Sequence, residues 1–221
     1  MTKESLESLH IKKTRKDEND NEKENINCLT RRIFRCLAGT VTDKDGYKYK
    51  TVKIGKQVWM AEDYRFETKF SKCADYRGGA DPDDCIRVYD FLATVQSGNK
   101  VCPTGWRLPT VKDWVDLIGF VLSDIPSAKD ATEKQIRKMH QELGSRLRST
   151  SCKDGKNSVG FNASCFFDNV SSVYYGAVSG GQNPKVGETV FECAEINGQG
   201  VFSNCPEGGW QVFLRIRCIE E

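Results

Sequence analysis

Histidine is almost missing from this chain: His10 and His140 are the only two in 221 residues. No C-x-x-C pair occurs either, so the close ligand pairs that build tetrahedral zinc sites are lacking, and no metal or other cofactor is expected. Neither sign of charge prevails. Lysine and arginine number 33 against 31 aspartates and glutamates, which leaves no domain-wide positive field for a phosphate backbone and argues against a nucleic-acid partner. Long apolar runs are lacking too. With a mean hydropathy of −0.56 and 29% charged residues, the chain reads as soluble and globular, with no transmembrane segment.

What is abundant is cysteine. Ten cysteines, an even number spread along the chain, read as an oxidised framework and hence as an extracytoplasmic protein, secreted or held at a cell surface. Such a protein should carry an apolar export signal, and residues 1–27 contain no run of that kind. The expectation is that the native start lies upstream or that a leader has been removed. Residues 1–27 hold seven acidic and six basic side chains and few apolar ones. They cannot bury enough surface to offset their ordering entropy, so residues 1–36 are assigned to a disordered charged tail or tether and residues 37–221 to one domain.

Residues 39–60 alternate apolar and polar side chains around two turn signals, Asp45-Gly46 and Ile54-Gly55-Lys56-Gln57, and predict a β-hairpin or short meander. Asp43-Lys44-Asp45-Gly46 invites a calcium-loop reading. Tyr47 stands where an oxygen ligand is needed, however, and no glutamate follows at the bidentate position, so a plain turn is expected. Thr110 with Asp113 three residues on makes a capping box, and Val111, Trp114, Val115, Ile118, Val121 and Leu122 recur behind it at helical spacing, predicting a helix packed on the core. Ile136, Met139, Leu143 and Leu147 predict a second helix, starting at Asp130 or Thr132 and ending near Arg146 and Arg148, with His140 at the edge of its stripe. Beyond Ser149 the chain turns to Gly, Ser, Asn and aromatic residues without helical period, which reads as long loops on short strands until residues 211–219 restore a strand pattern.

Four segments then stand out: Gly39-Thr40-Val41-Thr42-Asp43, residues 49–62 (YKTVKIGKQVWMAE), residues 101–110 (VCPTGWRLPT) and Ile216-Arg217-Cys218-Ile219. Together and in this order they resemble the Fibrobacter succinogenes major paralogous domain, over about residues 37–221. Trp106-Arg107-Leu108-Pro109-Thr110 with Asp113-Trp114 is also similar to the formylglycine-generating-enzyme group. The two resemblances imply an α+β, C-type-lectin-like fold: two helices flanking small antiparallel sheets, terminal strands that meet, and long disulfide-stapled loops that carry the ligand site. The chain departs from the family at Ile86-Arg87-Val88-Tyr89, where Gly-Arg-Leu-Tyr is usual, and at Tyr174-Tyr175-Gly176-Ala177, where a tryptophan pair is usual.

Within that frame the chain is expected to bind rather than to catalyse. Loops of Tyr, Asn, Ser and Gly on a rigid scaffold supply amphipathic area and adaptable hydrogen bonds. The candidate surface is Asn162, Asn169, Tyr174, Tyr175, Ser179, Gln182, Asn183, Asn197, Gln199 and Trp210, facing a glycan or a surface protein. The strings Glu-Pro-Asn and Trp-Asn-Asp that calcium-dependent sugar binding uses do not occur, and Asp81, Asp83 and Asp84 read as a solvated loop. Two other functions are weighed: an oxidase like the formylglycine-generating enzyme, with Cys193 and Cys205 as its thiols, and a purely structural surface module.

Five disulfides are expected. Cys73–Cys85 closes a short loop rich in Gly and Asp, and Cys102–Cys218 is implied by the fold resemblance, which makes the strand before the Trp-Arg-Leu-Pro-Thr turn a neighbour of the last strand. Cys152–Cys165, Cys193–Cys205 and Cys28–Cys36 join near neighbours, one of several connectivities open to the remaining cysteines.

Overall fold

The alternating stretch of residues 39–60, with Cys36, Leu37 and Ala38 before it, forms three antiparallel strands in the computed structural model, which describes residues 36–74, 85–97, 101–125, 132–165, 173–178, 191–203 and 213–221. Strands β1 (Cys36–Thr42), β2 (Lys48–Ile54) and β3 (Gln57–Met60) are joined in sequence by tight turns. The Asp43 carboxylate closes the first turn. Its Oδ1 accepts from the Asp45 and Tyr47 amides at 3.0 and 2.9 Å, and its Oδ2 accepts from the Tyr49 hydroxyl at 2.7 Å. The aspartate thus shapes a turn, as expected from Tyr47 standing where a calcium loop needs an oxygen ligand. The second turn needs Gly55, whose φ of 63° lies in the left-handed region.

Two further sheets follow. β4 (Ser71–Cys73) pairs with β5 (Arg87–Asp90), and β5 with β10 (Phe213–Leu214). A short helix α1 (Phe91–Gln96), not foreseen from the sequence, starts directly from β5 because the Asp90 carboxylate accepts from the Ala93 amide at 3.1 Å. β7 (Val173–Val178), β8 (Phe191–Asn197) and β9 (Gly200–Ser203) form a regular three-stranded antiparallel sheet. The expectation of loops on short strands beyond Ser149 therefore understates the order there. The first sheet is completed from the far end of the chain: β11 (Ile219–Glu220) lies between β3 and β6 (Trp106–Arg107), so strands from both ends share one sheet in the order β1-β2-β3-β11-β6.

Two main helices pack on these sheets. α2 (Val111–Val121) opens with a complete capping box: Thr110 Oγ1 accepts from the Asp113 amide at 3.2 Å and the Asp113 carboxylate accepts from the Thr110 amide at 2.7 Å. α3 (Glu133–Leu147) is capped in the same way by Thr132 and Gln135, which settles its start at Thr132 rather than Asp130. The buried faces differ from the sequence expectation. In α2 the core residues are Trp114, Leu117 and Val121, whereas Val115 is 61% exposed; in α3 only Leu143 and Leu147 reach the core, and Ile136 is 40% exposed. The apolar stripe of α2 is wide enough to be turned either way, and packing against β2, β7 and α3 together sets which side is covered.

One core lies between the first sheet, α2, α3 and the third sheet, with Trp59, Trp114, Phe161 and Tyr175 in mutual ring contact at centroid separations of 5.2 to 5.8 Å. A second core gathers Tyr49, Tyr64, Tyr89 and Phe91 around the second sheet. Gly176 joins the two, since a Cβ at that position would overlap the Phe91 ring.

Three disulfides tie the described residues: Cys73–Cys85, Cys102–Cys218 and Cys152–Cys165, with Cα separations of 5.5, 6.0 and 5.7 Å. Cys193 is disulfide-bonded as well. Its expected partner Cys205, together with Cys28 of the expected Cys28–Cys36 pair, lies outside the described residues. The molecule is thus a mixed α+β structure of three antiparallel sheets, two main helices and at least these three disulfides. Among the described residues no helix is long and apolar enough to cross a membrane.

Candidate functional site

Strand β3 is followed by a bend at Ala61 and Glu62 and then an irregular segment, held by main-chain bonds from Ala61 to Lys50 at 2.8 Å and from Tyr64 to Ile216 at 2.9 Å. That segment places Asp63 against the C-terminal segment 215–217. Two alternate residues there, Arg215 and Arg217, are 2% and 1% exposed, and both turn their guanidiniums onto the same carboxylate. Asp63 Oδ2 accepts from Arg215 Nη1 at 2.6 Å and from the Ser164 hydroxyl at 3.1 Å; Oδ1 accepts from Arg217 Nε and Nη2 at 2.8 and 2.7 Å and from the Tyr175 hydroxyl at 2.7 Å.

One carboxylate cannot balance two guanidiniums, so the remaining positive charge is held by dipoles and rings. Arg217 donates to the carbonyls of Met60, Phe161 and Asn162, and its guanidinium carbon lies 4.5 Å from the centroid of the Phe161 ring and 5.4 Å from that of Tyr175. Burial alone would push the Asp63 carboxyl up. The Arg217 and Arg215 charges, with the hydrogen bonds from Tyr175 and Arg217, outweigh it and hold the group at about 2. Burial pushes the Tyr175 hydroxyl up, well above its ordinary range. An ionised carboxylate with five donors on its two oxygens is a fixed structural acceptor and a poor proton acceptor at neutral pH.

Beside this cluster the surface opens into a cavity of about 270 Å³ whose walls include Asp63, Arg217, Asn162, Ser164, Glu62 and Tyr64. It runs into a wider one of about 620 Å³ that reaches Asp43, Asp45, Phe66 and Glu67. Tyr47, Arg65, Cys85 and Arg87 line both, so the two are lobes of a single groove. Its walls are pre-arranged. Arg65 lies 4.7 Å over the Tyr47 ring and donates to the Tyr47 hydroxyl at 2.9 Å, while Arg87 pairs with Glu67 at 3.3 Å and donates to Ser71 Oγ at 3.3 Å. Cys85, bonded to Cys73, ties β5 to β4 at the groove's edge. Among the described residues no cluster of His, Cys, Asp or Glu is arranged to hold a metal ion.

Of the residues singled out in the sequence, Asn162 lines this groove. It sits at φ 56°, its amide donates to Asn157 Oδ1 at 2.8 Å, and its carbonyl accepts from Arg217. Tyr175 leaves the candidate surface: it is fully buried, because its ring completes the aromatic core and its hydroxyl is bound to Asp63. Tyr174 is half-buried against the second core. Asn197 acts as a turn-former between β8 and β9, its Oδ1 accepting from the Gln199 and Gly200 amides at 2.8 and 3.1 Å, with Gln199 exposed in that turn. Asn169, Ser179, Gln182, Asn183 and Trp210 lie outside the described residues, as do Asp81, Asp83 and Asp84.

Sequence reasoning passed over Asp63, Tyr47, Arg65 and Arg87. The available signal was Arg215 and Arg217, two charges at strand spacing inside the apolar run of residues 213–219. Arginines at that spacing can face inward toward a carboxylate as well as outward to water.

A comparison with protein families matches residues 52–179 of the 221 to the model described as the Fibrobacter succinogenes major domain. Neither a curated protein nor a solved structure matches the chain.

Proposed function

Because this chain belongs to the Fibrobacter succinogenes major domain family, we propose that it is an extracytoplasmic module that binds a ligand without covalent chemistry. Three disulfides among the described residues fit an extracytoplasmic protein. A C-type-lectin-like arrangement is part of the proposal, and what supports it is the sharing of one sheet by β1–β3 and β11, with α2 packed on β2 and α3 on β8 and β9.

The observation that carries the reading is the groove built on the Asp63 cluster. Tyr47, Arg65 and Arg87 in its walls are already held by hydrogen bonds and ring contacts, which lowers the side-chain ordering cost a ligand meets there. Its one deeply placed carboxylate is held ionised and engaged by five donors, which favours recognition over acid–base catalysis. The bonded state of Cys193 favours a structural role for it over that of an oxidase thiol.

The test is retention of the purified protein on a panel of immobilised polysaccharides, glycans and cell-surface proteins, beside a reduced and alkylated sample. Retention by the oxidised protein and its loss in the reduced control are expected. No retention, or equal retention of both, removes the reading.

A further inference from the structure

We infer that the groove running from Asn162 past Tyr47 to Glu67 is a site for an uncharged, hydroxyl-rich ligand longer than a single sugar ring, the chemistry of a neutral oligosaccharide. This rests on the binding-module reading and adds to it the place and the class of ligand.

Charge accounting decides the class. Three guanidiniums line the two lobes, those of Arg65, Arg87 and Arg217, against the carboxylates of Asp43, Asp45, Glu62, Asp63 and Glu67. Arg217 shares Asp63 with Arg215 behind it and Arg87 is taken up by Glu67, so that even with Arg215 counted the positive groups do not outnumber the carboxylates. Asp43 is occupied by two amides and the Tyr49 hydroxyl. A polyanion would therefore meet no net positive field, the condition that phosphate or sulfate recognition requires. A cationic chain would meet guanidiniums in both lobes.

What both lobes offer together is donors and acceptors side by side: Arg65 and Asn162 next to Glu62 in one, Arg65 and Arg87 next to Asp45 and Glu67 in the other. Hydroxyl groups, which donate and accept at once, satisfy such a mixed wall, whereas a ligand of one character cannot. Most small-molecule pockets are lined chiefly by apolar side chains, and this one is not. Besides Tyr64 in one lobe and Phe66 in the other, its aromatic surface includes Tyr47, 41% exposed and shared by both lobes, in edge contact with Tyr49 at 4.8 Å and under the Arg65 guanidinium. Such a ring covers the apolar C–H surface of a sugar while its hydroxyl stays available to polar groups. Two lobes meeting at one tyrosine suit a chain of rings that passes over it.

The experiment uses the full-length oxidised protein and isothermal titration with cellotetraose, mannotetraose and xylotetraose, beside tetragalacturonate and tetralysine as charged probes. Tyr47→Ala and Arg65→Ala are the site variants. Both residues lie outside the two buried cores, and each variant's melting curve is recorded to confirm that it folds. Tyr47 and Arg65 take part in no disulfide, so the framework stays intact. The expected result is saturable binding of at least one neutral tetramer, weakened on the order of tenfold or more in each variant, with the charged probes silent. Binding of tetragalacturonate or tetralysine alone overturns the ligand class and leaves the module reading in place. Binding of a neutral tetramer that both folded variants retain overturns the site. Silence of all five probes overturns this inference, while a polysaccharide or protein retained in the panel above still supports the broader one.

Discussion

Asp113 and Asp63 are the same side chain placed in opposite settings. Asp113 works mainly within a few residues of itself: it completes the capping box with Thr110 and accepts from Arg107 Nη1 at 2.7 Å and Nη2 at 3.1 Å, and among the described residues its one distant side-chain partner is Gln57, whose Nε2 donates to Oδ1 at 3.3 Å. Asp63 draws on partners 101 to 154 residues away, Ser164, Tyr175, Arg215 and Arg217. Both carboxyls are held at about 2 against an ordinary 3.8. In each, burial acts to raise the value and is outweighed, chiefly by the arginine charges at Asp63 and by hydrogen bonds from Arg107 and Thr110 at Asp113. The same titration thus arises from a local device that starts one helix and from a long-range device that fastens the third sheet, the segment after β3 and the C-terminal strand together.

The comparison is broken first at Asp63. Removing it by Asp63→Ala leaves two buried guanidiniums facing each other without their carboxylate, a change that costs about 3–5 kcal/mol in comparable buried pairs. Chemical denaturation should show that loss, and Asp63→Asn, which keeps an acceptor, should fall between the variant and the wild type. A loss below about 1 kcal/mol for Asp63→Ala would show the cluster to be no more than a surface ion pair in its effect.

Acid sharpens the contrast next. The folded Asp63 carboxyl at about 2 binds its proton later than the unfolded one at 3.8, so its stabilisation is complete above pH 3.8 and disappears as the pH falls toward 2. By linkage that contribution is roughly 2 kcal/mol at neutral pH. Equilibrium unfolding followed down to pH 2 should be steeper in the wild type than in Asp63→Asn, which has no such proton to take up. Parallel curves would mean that other carboxylates carry the acid sensitivity.

The smallest effect belongs to the local device. Thr110→Ala removes the oxygen that accepts from the Asp113 amide and should destabilise the protein by about 1 kcal/mol. Amide exchange should locate the change in the first turn of α2, with the Asp63 cluster unaffected. Loosening of residues 213–221 in the same variant would show that the two devices are coupled.

Legibility in the sequence followed the same division. The Asp43 turn, the Thr110 capping box and the end of α3 near Arg146 could be read because each is written within a few consecutive residues. The orientation of α2 could not, since Val111, Val115 and Ile118 and the set Trp114, Leu117 and Val121 are both apolar stripes at helical spacing. Packing against β2, β7 and α3 together buries the second set and leaves Val115 largely exposed. Tyr174 and Tyr175 posed the same problem in a strand: adjacent residues point to opposite faces, and only the packing of Trp114 and Phe161 shows that Tyr175 is the inner one.

By itself the sequence determined the Cys73–Cys85 and Cys102–Cys218 pairs, the family motifs around residues 49–62 and 101–110, the meander at the start of the domain and the cap of α2. Apart from Cys102–Cys218, which the family resemblance implied, these depend on residue type and short spacing, the scale over which backbone geometry and capping act. Only the tertiary structure decided that Asp63 meets Arg215 and Arg217, that Tyr175 is a core residue and that Tyr47, Arg65, Arg87 and Asn162 share a groove. Those contacts join segments up to 154 residues apart. Their partners are chosen by the closure of the first sheet through β11 and by the carboxylate that two buried guanidiniums require, and neither leaves a pattern in neighbouring residues.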